Sequence, residues 1–193
     1  MKILFTFLAV LFLSNSEINA QNYVIDAGHS NVQINVERFG VVDVSGRFKA
    51  VEGNIYYDKA DAPKTNANAI IKVDSYDANN IGGESAVKSK AFLDADTYPE
   101  ILFKSTKAIS KGGNMYLVGD LTIHGVTKTI ELPFSIKGPL MDLPTQKQSI
   151  AFNASIIINR QDYGMTFDRK LPNGTSLVGN DIKVTLSILA IAE

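Results

Sequence analysis

Apolar and polar residues alternate with a period of two through most of this chain, and that pattern leaves few architectures open to it. Val32, Ile34 and Val36 alternate with Asn31, Gln33, Asn35 and Glu37. Ile130, Leu132, Phe134 and Ile136 alternate with Glu131, Pro133, Ser135 and Lys137, and Ile182, Val184, Leu186 and Ile188 with Lys183, Thr185 and Ser187. Such a period puts each apolar set on one face of a pleated strand and each polar set on the other. Strands of this kind belong to antiparallel sheets with one wet face and one dry face.

Less regular segments complete the set. Val44 to Asp58 is a long strand whose Gly46 and Gly53 predict a bend or bulge. Ala67 to Val73, Ile101 to Ile109, Met115 to Ile123 and Ile150 to Ile158 follow, giving about eight strands. Lys111-Gly112-Gly113-Asn114 and His124-Gly125-Val126 read as tight connections between antiparallel neighbours. Asp142 to Gln148 and Tyr163 to Gly174 read as longer loops. Between Gly82-Gly83 and Pro99, Ser85 with Ala86, Val87, Lys88, Ala91 and Phe92 has helical spacing. This predicts one short helix of about two turns, N-capped by Ser85, with Val87, Ala91 and Phe92 packed on a barrel opening or wall.

So many strands with so little helix allow a two-sheet sandwich or a closed barrel, and composition does not choose between them. The length of Val44 to Asp58 and Met115 to Ile123, and the absence of edges in a closed barrel, favour the barrel. The expected fold is therefore all-β, an antiparallel barrel of about eight strands. A barrel of that size is either just filled by its own side chains or admits one slim ligand.

The first residues predict export. Met1-Lys2 supplies a positive start, Ile3 to Leu13 an apolar run, and Ser14 to Ala20 a polar or small stretch, the order of a secretory signal peptide. Cleavage is expected after Ala20, although Ile18 is bulky for its place. The expected division is a signal peptide over 1–20 and one domain over 21–193. The apolar run is short of the roughly 20 residues that span a bilayer, so no stable membrane anchor is expected, and the location is periplasmic or secreted. The chain has no cysteine, which removes thiol nucleophiles, Cys-based metal sites and disulfides. A protein sent to an oxidising compartment must then hold together through its core. The formal net charge is −1 and the charges are scattered, whereas a nucleic-acid partner would call for a basic stripe. Homodimerisation stays open.

Catalytic chemistry finds little support. His29 and His124 are the two histidines of the chain, and hydrogen-bonded structural roles are expected for both. No metal, cofactor or catalytic residue is assigned. His124, at a strand end, is a candidate contact for a polar head group, and so is Arg160, whose planar fork suits phosphate or carboxylate. Ser30 neighbours His29, but adjacent strand residues point to opposite faces. Asp120 and Thr122 read as an outward face. The inward apolar set is where function is expected: Phe48, Ile55 and Tyr57; Phe92 and Phe103; Leu121 and Ile123; Ile130, Leu132 and Phe134; Phe152, Ile156 and Ile158. These side chains either fill the barrel as a packed core or line a tunnel for an alkyl chain. Each buried CH₂ of such a chain contributes roughly 0.8 kcal/mol.

The stretch Gly119-Asp120-Leu121-Thr122-Ile123-His124-Gly125-Val126-Thr127-Lys128 resembles the signature of the YceI-like family of polyisoprenoid-binding proteins. Ordered matches include Tyr23-Val24-Ile25-Asp26 with His29-Ser30, Gly46-Arg47-Phe48, Gly53-Asn54-Ile55, Tyr98-Pro99, Phe103-Lys104-Ser105-Thr106 and Arg160-Gln161-Asp162-Tyr163-Gly164. The resemblance covers roughly Gln21 to Glu193. It implies a lipocalin-like barrel in the bacterial periplasm or outside the cell, with an apolar tunnel for a polyprenyl chain or similar lipid. Where that family commonly carries a His and an Asp about the short helix, this chain has Ala86 and Ala91, so another head group or a wholly apolar ligand is expected. The leading expectation is a carrier or sequestering protein for a long-chain lipid such as a polyisoprenoid, an isoprenoid quinone or a fatty-acyl compound. The rivals are an enzyme acting on such a lipid through His124 or His29, and a solidly packed barrel that binds another protein.

Overall fold

Each alternating segment forms a strand that turns its apolar set toward one shared interior. The computed structural model describes residues 20–193, so the expected signal peptide lies outside the described residues. The strands are β1 (Gln21–Ile25), β2 (Asn31–Arg38), β3 (Val42–Phe48), β4 (Val51–Tyr57), β5 (Asn66–Lys72), β6 (Tyr76–Asp77), β7 (Glu100–Lys111), β8 (Asn114–Ile123), β9 (Val126–Asp142), β10 (Lys147–Asn159) and β11 (Val178–Ala192). A single α-helix among the described residues, α1 (Ile81–Lys88), follows β6.

The first six strands are three long ones, each broken once. A 3₁₀ turn at Ala27–His29 divides β1 from β2, a two-residue step divides β3 from β4, and a 3₁₀ turn at Val73–Ser75 divides β5 from β6. The breaks lie at one level, because β1, β4 and β5 pair among themselves while β2, β3 and β6 pair beside them. Both β1 and β2 run along β11, from Tyr23↔Ala192 to Ile25↔Ala190 and from Asn31↔Ser187 to Val36↔Ile182. Counting each broken strand once, the walls form an eight-stranded up-and-down antiparallel barrel closed by the last strand on the first. The long Val44 to Asp58 strand is thus divided between β3 and β4. Gly53 lies in β4 with φ +141°, where a side chain would drive into the carbonyl of Asn68 on β5; the ladder needs glycine there.

Connections alternate between two ends. One end carries the 38–42 hairpin, α1 with the 89–99 segment, the 124–125 turn and the 160–177 loop. The opposite end carries the 58–65 connection and the 112–113 and 143–146 turns. Gly112 and Gly113 have φ of +56° and +81°, and His124 and Gly125 of +50° and +74°, the positive pair that tight hairpins need to match strand twist. The Asp142 to Gln148 connection is shorter than expected, since Asp142 Oδ2 accepts from the amide of Thr145 at 3.0 Å and closes the turn.

The helix starts earlier than its sequence predicts. Asn80, not Ser85, caps it: its side-chain oxygen accepts from the amides of Gly82 and Gly83 at 3.0 and 3.2 Å. Glu84 completes the start by accepting from the amide of Ala78 at 3.1 Å. The two glycines therefore form the first turn instead of preceding it. Val87 turns inward and Phe92 follows in an irregular turn, whereas Ala91 is exposed.

Candidate ligand cavity

The interior is hollow at one end and solid at the other. A cavity of about 300 Å³ opens between the β2–β3 hairpin, α1 and the 160–177 loop, and its wall is apolar from every strand of the barrel except β6 and β1's outer half. Phe48, Ile55, Phe103, Leu121, Ile123, Ile130, Leu132, Phe152, Ile156 and Ile158 all line it, as does Phe92 from the segment after α1. The packed-core alternative therefore describes only part of the barrel.

Two expected lining residues do not reach the cavity. Tyr57 faces inward at the last rung of β4, beyond the floor, and packs against the core there. Phe134 also lies beneath the floor and stacks on Phe152, with centroids 5.2 Å apart and an interplanar angle of 14°. Conversely, Val32, Ile34 and Val36 on β2 and Ile182, Val184, Leu186 and Ile188 on β11 form a large part of the wall. Their alternation is the cleanest in the chain, and that signal marks them as inward-facing.

Hydrogen-bonded rungs locate the floor. On β10 and β11 the Phe152↔Ile188 rung lines the cavity, while the next rung, Ile150↔Ala190, is sealed at 1% and 0% exposure. On β8 and β9 the Leu117↔Leu132 rung lines it and the next, Met115↔Phe134, does not. On β1, Ile25 lines it and buried Tyr23 does not. Burial pushes the Tyr23 hydroxyl pKa up, so its phenol stays neutral within this lower core.

Arg160 is the polar feature of the wall. It is 2% exposed, and its guanidinium donates to main-chain carbonyls on two segments. Nε reaches Gly179 at 3.1 Å and Nη2 reaches Phe167 at 2.6 Å, while Nη1 donates to Met165. Burial pushes its pKa down from the ordinary value, with Asp168 acting weakly the other way; a guanidinium keeps its charge even so. The side chain therefore clamps the 165–167 loop to the start of β11 while one edge borders the cavity. Ala86 presents a methyl to the same space, and Glu37, Arg38 and Asn68 supply the other polar edges.

His124 does not meet the cavity. Its left-handed turn conformation carries the ring outward against Tyr98, centroids 4.7 Å apart, with Nδ1 3.2 Å from the carbonyl oxygen of Tyr163. The ring thus ties the 124–125 turn to the 160–177 loop and to Tyr98 instead of bordering the cavity as the expected head-group contact. His29 lies in the 3₁₀ turn, 75% exposed, with Nδ1 2.7 Å from Asp26 Oδ2. Asp120 and Thr122 face outward, Asp120 accepting from Thr129 at 2.7 Å and Thr122 sharing a hydrogen bond with Thr127 at 2.8 Å. Among the described residues there is no group of three or more His, Cys, Asp or Glu placed to hold a metal ion.

A UPF0312 protein of Vibrio vulnificus is 30% identical over 163 residues, covering 83% of this chain and 86% of the relative. One from Vibrio campbellii is 36% identical over 121 residues, covering 60% of this chain and 64% of the relative; the matched stretch thus spans less than two thirds of that protein. Among solved structures, Burkholderia cenocepacia BcnA superposes with a TM-score of 0.74 at 24% identity, covering 86% of this chain and 99% of that one. A polyisoprenoid-binding domain from Saccharophagus degradans superposes with a TM-score of 0.66 at 15% identity, covering 89% and 98%. The YceI-like domain model matches residues 23–190, and with that span of the barrel accounted for, the chain belongs to the YceI-like family.

Proposed function

We propose that this protein binds a long-chain apolar lipid, an isoprenoid or fatty-acyl compound, inside the barrel, and acts as a carrier or sequestering protein of the bacterial envelope. One observation carries the reading: a closed barrel keeps about 300 Å³ of its interior open behind a wall of aliphatic and aromatic side chains. A cavity of that character stays dry and favours apolar guests, and burial of the chain supplies affinity without strong polar contacts. The solved relative described as polyisoprenoid-binding shares the fold. The apolar order of Ile3 to Leu13 supports export.

Binding is favoured over catalysis because an enzyme pocket needs several convergent polar groups. Both histidines lie outside this cavity, and the donors of Arg160 are occupied by its own main chain. A head group would meet the edge of Arg160 together with Glu37 and Arg38 at the rim.

The test is extraction of the purified protein with organic solvent, mass spectrometry of the extract, and titration of the emptied protein with prenyl and fatty-acyl probes. Co-purified lipid, or saturable one-to-one uptake, is the expected result. An empty extract together with no uptake of any chain would overturn the reading.

A further inference from the structure

The cavity has a definite bottom, and its position sets how much chain can enter. Three strand pairs and β1 bound the open space from below: the rungs Phe152↔Ile188, Leu117↔Leu132 and Ile55↔Ala67, and Ile25 on β1, are the last to line it. Below them the inward side chains pack together, Tyr23, Ile150 and Ala190 sealed and Tyr57, Met115 and Phe134 half-buried against them. The stacking of Phe134 under Phe152 makes that level a hard stop.

Two independent measures of capacity agree. A cavity of about 150 Å³ accommodates benzene, six carbons, so about 300 Å³ accommodates about a dozen. From Phe152 at the floor to Arg160 at the mouth the chain advances eight residues. At ~3.3 Å each and a strand tilt near ~40°, that is ~20 Å of depth. An extended carbon chain advancing ~1.3 Å per bond fills this depth with about 15 carbons.

We infer that the barrel is a chain-length ruler: it encloses about 12–16 carbons, roughly three isoprene units, and any further length of a longer chain stays outside the mouth. Phe152, backed by Phe134, is the residue that fixes the limit. This rests on the proposed lipid-binding role, and the experiment separates the two.

Purified, delipidated protein would be loaded with dansyl-undecanoic acid, and the probe displaced by saturated fatty acids of 8 to 22 carbons and by geraniol, farnesol, geranylgeraniol and solanesol. Affinity is expected to rise about four-fold per methylene up to the limit and then level off, with farnesol near the break. Phe152→Ala, which leaves Phe134 as a deeper floor, should move the break up by about four carbons. Ala69→Phe, which projects into the cavity, should move it down by a similar number. Should Phe152→Ala fail to fold, Ala69→Phe decides alone. Affinity that keeps rising through geranylgeraniol and solanesol, or a break that neither variant moves, would overturn the ruler while leaving lipid binding intact. Failure of the dansyl probe and every competitor to bind would overturn both.

Discussion

The guanidinium of Arg160 lies over the ring of Phe92, with Cζ 5.8 Å from the ring centroid, so a cation and an aromatic face meet at the mouth of an otherwise apolar cavity. Phe92 also packs on Phe167, centroids 5.2 Å apart, and the Phe167 carbonyl accepts from Arg160. The three residues join the segment after α1 to the 160–177 loop. Replacing Arg160 with Met removes every donor at once and leaves buried carbonyls unpaired, which should cost about 3 kcal/mol. Arg160→Lys should recover little, because a single ammonium cannot span both segments. Urea unfolding measures the loss, and amide exchange should report faster opening of residues 164–170 first.

Leu117 is 0% exposed at the level where hollow gives way to solid. Leu117→Ala should lower stability by about 3 kcal/mol without changing the urea m-value. A markedly smaller loss would mean that the lower core collapses into the space.

Gly53 tests the β4–β5 ladder. Its φ of +141° is open to glycine and strained for other residues, and any side chain meets the main chain of Asn68 and Ala69. Gly53→Ala should therefore cost about 2 kcal/mol or more. Gly112→Ala, at an open turn with nothing close by, should cost about 1 kcal/mol from its positive φ alone. Thermal melts of the two variants give the comparison.

Asp26 gives the stability an acid-sensitive component. The hydrogen bond from the His29 ring, assisted by the amides of Gly28 and His29, holds its carboxyl below the usual value. A carboxyl that is more acidic in the folded state stabilises the fold above its unfolded pKa, and that contribution is lost as pH falls through the folded value. Asp26→Asn should therefore cost about 0.5 kcal/mol at neutral pH and progressively less as the pH falls through the folded carboxyl's own titration. Urea midpoints taken from pH 7 down to pH 3 should converge for the two proteins.

The alternation of Val32 to Val36, Ile130 to Ile136 and Ile182 to Ile188 made the strands and their inward faces legible, because a period of two encodes sidedness directly. It does not encode depth. Tyr57 and Phe134 face inward as their neighbours do, yet they lie below the floor, and only the stagger between strands reveals that. Arg160 was legible as a mouth residue but not as a clamp, since its partners at Met165, Phe167 and Gly179 come from elsewhere in the chain. His124 misled for a local reason: a turn residue at positive φ points its ring away from the face that its strand predicts. The start of α1 was obscured by Gly82 and Gly83, which ordinarily end or precede helices and here are held by Asn80.

The floor of the cavity divides the barrel into two storeys with separate duties. Beneath it, Tyr23, Ile150 and Ala190 sit sealed in a packed core that resists unfolding; above it, short β6 leaves one wall to α1 and an irregular segment. Residues of the upper storey can then be exchanged to suit a new cargo while the foundation stays untouched, so that affinity and thermal resistance become independently adjustable traits of one small scaffold.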